Sequence, residues 1–216
     1  MKKLFILFFL LAVISPISAQ KLKHGIEYKY NIDAIKQASY IVWYGWDFSH
    51  SKMRDFKKFQ EGELIVGKHI PAIIGKLSVS YLEKRVRNAT KKDSVIFNRV
   101  TINELYKEID PKSFVVINPY ELTPNDIKKI VSNYSLPQKE GLGLVVIIEM
   151  MNDEKDPFRY ASGYVTFFDI ATRDVYYTTK MKGLPGSKWG FDDYWFNGFT
   201  ELFDYFFADY YNKIYK

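Results

Sequence analysis

The chain has 216 residues, of which 47% are hydrophobic, 18% aromatic and none cysteine; its formal charge is +6, or +4 once Lys2 and Lys3 are set aside. This is enough apolar material for one core of ordinary size. The lack of thiols excludes disulfides, thiolate metal sites, a cysteine nucleophile and a lipid-bearing cysteine at a cleavage point. The mild charge excess lacks the concentrated basic stripe of a nucleic-acid binder.

Lys2 and Lys3 precede an unbroken apolar run from Leu4 to Ile14, which is followed by Ser15, Pro16, Ile17, Ser18 and Ala19. That layout is a secretory signal peptide, residues 1–19, with cleavage expected between Ala19 and Gln20. The run is short for a bilayer span, and no later segment approaches eighteen consecutive apolar residues. The expectation is a periplasmic or secreted protein with no transmembrane span after cleavage, whose residues 20–216 form a single domain.

Asn31 suggests a short leading helix, and Tyr40 to Trp46, rich in β-branched and aromatic residues, predicts a strand. A largely helical stretch is expected from Met53 to Asn88. It is broken or kinked because it carries Gly62, Gly67, Pro71 and Gly75. Residues 93–110 read ambiguously, with Val95 to Phe97 open as a short strand. The basic residues Lys84, Arg85, Arg87, Lys91 and Lys92 read as a solvated helix end.

Ser113 to Asn118 predicts a strand between two prolines. Thr123-Pro-Asn-Asp126 is a helix start, with threonine capping, proline in the first turn and an acid facing the dipole. Leu142 to Met151, almost wholly apolar, predicts a strand buried on both faces. Tyr160 to Ile170 and Val175 to Met181 form a hairpin. The last helix, from about Asp192 to Ile214, places Trp195, Phe199, Leu202, Phe206 and Tyr210 on one face. Helices between the early strands imply parallel crossovers. The fold class is therefore α/β: a mixed, mostly five-stranded sheet, parallel in its first part, closed by an antiparallel C-terminal hairpin and covered by helices.

Three segments carry a family resemblance: Leu142-Gly-Leu-Val-Val-Ile-Ile-Glu149, Tyr164-Val-Thr-Phe-Phe-Asp-Ile-Ala-Thr172 and Val175-Tyr-Tyr177. An apolar strand, a strand ending in Asp-Ile-Ala-Thr and a return strand resemble the C-terminal half of a small extracytoplasmic α/β domain. That domain is found at the N-terminus of the periplasmic translocation protein TolB and in the curli-secretion lipoprotein family. Val42 to His50 is similar to the first strand of uncharacterised secreted proteins of Gram-negative bacteria. The resemblance implies a non-enzymatic envelope role: binding an envelope protein partner or self-association, with no cofactor. The chain departs from those proteins in having no lipid-bearing cysteine and no following propeller, so their specific roles do not carry over.

Two alternatives rest on side chains. Ligands in open α/β sheets sit beyond the carboxyl ends of parallel strands. Asp47 and His50 follow the first strand and Asp153 follows the central one, so the three would converge there for metal or acid–base work in a hydrolase. Against this, Asp47 and Ser49 are ordinary turn and cap residues. Trp189, Tyr194 and Trp195, around the loop Gly183 to Gly190, would line a sugar or peptide groove in a carbohydrate-binding module; packing on the sheet is the competing reading. No histidine spacing marks a metal centre, and no Gly-x-Ser-x-Gly is present.

Overall fold

A computed structural model of the protein describes residues 27–54, 61–78, 80–155, 158–186 and 190–215. The expected signal peptide and its Ala19–Gln20 cleavage point, and Trp189 of the expected sugar groove, lie outside the described residues. In chain order the elements are β1 (Glu27–Lys29), α1 (Ile32–Gln37), β2 (Tyr40–Asp47), β3 (Lys52–Arg54), α2 (Gly62–Leu64), α3 (Ile70–Leu77), α4 (Ser80–Thr90), β4 (Ser94–Phe97), α5 (Val100–Asn103), β5 (Val115–Val116), α6 (Pro124–Ser132), β6 (Leu142–Asn152), β7 (Tyr160–Asp169), β8 (Val175–Gly183), α7 (Phe191–Tyr205) and α8 (Asn212–Ile214). π-Helical turns join α2 to α3 over Ile65–His69 and α7 to α8 over Phe206–Tyr211.

The protein is α/β, with one mixed sheet of eight strands rather than five. The strands run β1-β8-β7-β6-β2-β4, and β3 and β5 continue the lines of β2 and β4 alongside the far end of β6. β2 and β3 lie parallel to β6, whereas β7 and β8 form the antiparallel hairpin. The extra strands are β1, β3 and β4, none longer than four residues. Met53, expected to open a helix, is the buried centre of β3, and the strand expected over Ser113 to Asn118 shrinks to Val115–Val116. Such short pieces lack the period-two run that marks a strand in a sequence; their pairing partners hold them extended.

β6 is buried at every position because helices cover both faces of the sheet. On one face, Leu144, Val146 and Ile148 meet Ile70, Ile73 and Leu77 of α3 and Trp195, Phe199, Leu202 and Phe203 of α7. On the other, Val145 and Ile147 meet Ile127, Ile130 and Val131 of α6. A bulge at Gly45, whose φ is +90°, shifts the register of β2, so Trp43 and Trp46 reach the same face and meet edge-on at 5.9 Å. A Cβ at Gly45 would lie 2.4 Å from Asn103 Oδ1, the atom that accepts the Trp46 backbone N–H at 3.1 Å.

The expected stripe of the last helix is core at Trp195, Phe199, Leu202 and Phe206, while the Tyr210 side chain lies outside what is described. Trp195 is 1% exposed, and Phe199, Phe206 and Tyr211 are fully buried. The helix lies close to the sheet because Gly183 of β8 meets Gly198 of α7, where a Cβ on Gly183 would fall 2.0 Å from the Gly198 carbonyl oxygen. Asp192 and Asp193 stand in the first turn of α7. Gly190 is the N-cap, and the two acids tie α7 to α3: Asp192 meets His69 Nδ1 at 2.7 Å and Asp193 meets Lys76 at 2.5 Å.

Candidate binding groove

Asp47, His50 and Asp153 do not converge. Asp47 pairs with Ile147 across the β2–β6 ladder, and Asp153 stands six residues further along β6's direction. At about 3.3 Å per residue the separation is about 20 Å. β3 occupies the intervening ladder positions, because β2 ends before β6 does. His50 is exposed in the turn after β2. Among the described residues no group of three metal-ligating acid or histidine side chains forms.

Each buried carboxylate is occupied in holding chain segments together. Asp47 accepts the Ser49 backbone N–H at 2.8 Å, the Ser49 hydroxyl at 2.6 Å and the Tyr134 hydroxyl at 2.5 Å. Burial, reinforced by the Asp47 charge, holds the Tyr134 hydroxyl protonated well above its ordinary range. Asp153 binds Arg159 Nε at 2.7 Å and, with Asn152 Nδ2 on Glu154 O and Phe158 O, shapes the chain between β6 and β7. Tyr194 hydrogen-bonds to Asp153 and Arg159 from the first turn of α7.

The third buried acid, Glu149, went unnoticed as a polar group within the apolar run. It is the extra residue of a bulge between Ile148 and Met150 and is 1% exposed. Its carboxylate accepts Leu122 N–H at 2.8 Å and the Ser162 hydroxyl at 2.7 Å, and it pairs with Lys180 at 2.8 Å. Burial opposes the Lys180 charge, but Glu149 and Glu121 outweigh it and raise the lysine's pKa. Neighbouring Lys182 has no such carboxylate contact among the described residues; burial and the Lys180 charge lower its pKa, and its ammonium sits 4.2 Å over the Tyr160 ring. A lone Glu in an otherwise apolar central strand was the available signal, since a buried polar residue is more informative than an exposed apolar one.

Glu149 and Asp47 therefore grip the two ends of one segment. Glu149 and the Tyr164 hydroxyl hold Leu122, just before the Thr123–Asp126 capping box of α6. Asp47 holds Tyr134 just beyond the helix, and Arg173 Nε donates to the Tyr134 carbonyl at 3.1 Å. α6 is thereby pinned over the sheet at both ends.

The flank of α6 forms one wall of a groove of about 550 Å³, with the β7–β8 turn and the start of α1 opposite. Lys128, Lys129 and Arg173 line it, and none forms an ion pair among the described residues; Asp174 is its one acid. Tyr30, 47% exposed, lies under the Lys128 ammonium at 4.0 Å. Burial, then the Asp169 carboxylate that accepts its hydroxyl at 2.9 Å, pushes Tyr176 up to about 12. Arg173 occupies a left-handed backbone position, φ +68°, that favours glycine.

The expected sugar platform is corrected in part. Trp195 is core, in edge contact with Tyr194 at 5.2 Å and Phe191 at 6.2 Å, so its face is unavailable to a ligand. Of the basic run, Arg85 pairs with Asp204, Arg87 covers the Phe97 ring at 4.8 Å, and Lys92 donates to the Ile35 carbonyl at 2.5 Å. Comparison with protein-family models, curated proteins and solved structures found no match.

Proposed function

We propose that the protein is an exported, non-enzymatic binding domain of the bacterial cell envelope, which engages a protein partner or a second copy of itself. The observation that carries this reading is that Asp47, Glu149 and Asp153 are all committed to holding chain segments in place. An acid–base catalyst needs a carboxylate within reach of a reacting proton, and these three spend their hydrogen bonds inside the fold. The pattern of residues 1–19 supports export, and no helix among the described residues is long and apolar enough to cross a membrane.

The β4 edge is the contact surface in this reading. Among the described residues β4 ends the strand order, with Ile96 43% and Val100 74% exposed beside it. An unpaired edge with apolar side chains suits addition of a partner's strand. The test is to express the full chain in a Gram-negative host, measure the N-terminal mass after fractionation and cross-link the periplasmic fraction. A mature protein beginning at Gln20, with a cross-linked species lost in Ile96→Lys, is expected. An uncleaved cytosolic chain, or a monomer without cross-linked species, overturns the reading.

A further inference from the structure

We propose that the groove between α6 and the β7–β8 turn binds a phosphate monoester carried on a sugar. The proposal goes beyond the binding-domain reading, which concerns the β4 edge, and stands on the groove alone.

The charge argument comes first. Lys128, Lys129 and Arg173 face one acid, Asp174, so the groove carries a net charge of +2. A phosphate monoester near neutral pH approaches a charge of −2 and offers three acceptor oxygens. The end of α6 accounts for a charge at Lys129, which lies in its last turn. Lys128 leans instead on Tyr30 across the groove.

Size and chemistry then point beyond phosphate alone. A recess of about 550 Å³ falls within the range of small-molecule sites and far exceeds one phosphate. Asn31, Ser132 and Thr172 add amide and hydroxyl groups to its wall, the partners that sugar hydroxyls require. Tyr30 supplies a half-exposed ring.

Arg173 is the most telling residue. Its backbone is left-handed, a conformation that glycine adopts without strain. Nε is spent on the Tyr134 carbonyl, and the residue lines the groove. Its terminal nitrogens make no hydrogen bond among the described residues and match the geometry of phosphate oxygens. The wall opposite is rigid because Glu149 and Asp47 anchor both ends of α6, so little ordering remains to be done on binding.

A sugar phosphate reaches such a groove either free or as the headgroup of a phosphorylated glycolipid, and two arms distinguish these sources. In the first, the full chain is titrated calorimetrically at low salt with glucose 6-phosphate, inorganic phosphate and glucose. In the second, it is mixed with phosphatidylcholine vesicles with and without lipid A and sedimented. Binding of glucose 6-phosphate supports a free ligand, with inorganic phosphate about tenfold weaker and glucose silent; binding only to lipid A vesicles supports the glycolipid. In either arm Lys128→Gln should weaken binding about tenfold, as should Arg173→Gly, which removes the fork at a position glycine accepts. Thermal unfolding of both variants confirms that they remain folded. Binding in neither arm, equal affinity for inorganic and sugar phosphate, or affinity unchanged in both variants overturns the proposal. Export and cross-linking are read separately, so this failure is distinct from failure of the envelope reading.

Discussion

At the scale of residues, the chain concentrates its buried charge where a segment must be held. Lys180 is 14% exposed and Glu149 1%, so removing Lys180 leaves Glu149 without its counter-charge in a poorly solvated site, whereas removing Glu149 leaves Lys180 only the exposed Glu121 at 3.3 Å. Glu149→Ala should cost about 3–5 kcal/mol by urea unfolding, because Leu122 N–H and Ser162 lose their acceptor along with Lys180. The paired replacement Glu149→Leu with Lys180→Met should recover much of that loss. Asp169 provides the acid-side test. Burial raises its pKa, but bonds from Thr172 N–H, the Tyr176 hydroxyl and Ala171 N–H outweigh burial and set it below the ordinary 3.8. A carboxyl with a depressed folded pKa contributes stability that is fully present above its unfolded value and lost as pH falls through the folded one. The stability difference between the native chain and Asp169→Asn should therefore hold at neutral pH and shrink progressively as pH falls from 3.8 through the lower folded value, as followed by thermal unfolding across pH. Arg173 and Glu149 were both legible as residue types in the sequence. Their significance was not, since one depends on a backbone angle and the other on a bulge.

At the scale of elements, α6 and α7 show two ways of fixing a helix. α6 carries its own start signal in Thr123-Pro124-Asn125-Asp126, and the reciprocal capping box is present as the spacing predicts. Thr123→Ala should lower the unfolding free energy by about 1 kcal/mol in a urea titration. α7 has no side-chain cap and depends on contacts made far along the chain: His69, Lys76 and the glycine pair Gly183–Gly198. A methyl group at Gly183 would strike helix backbone, which cannot rotate aside, so Gly183→Ala should destabilise by about 3 kcal/mol, measured by thermal unfolding. The amphipathic stripe identified α7, but no local pattern showed how close it comes to the sheet. The hydrolase reading failed for a similar reason. It placed strand ends by order along the chain, whereas the break between β2 and β3 puts Asp47 partway along β6.

For the whole molecule, the two apolar layers share β2, β6 and β7, so neither face can open without exposing the other side's strands. Equilibrium unfolding should accordingly be one transition. Tryptophan fluorescence, three of whose four sources, Trp43, Trp46 and Trp195, lie in the core on the α3–α7 face, should give the same midpoint as far-UV dichroism; separate midpoints would show the α6 layer unfolding independently. The sequence alone established the α/β class, the doubly buried central strand, the hairpin and the start of α6, because period, capping and turn chemistry act over a few neighbouring residues. Only the tertiary structure decided the eight-strand count, the burial of Trp195, the separation of Asp47 from Asp153 and the groove beside α6. Short strands gain their hydrogen bonds from distant partners, a bulge turns Glu149 into the fold at one residue, and a groove lies between segments that meet only when the sheet assembles.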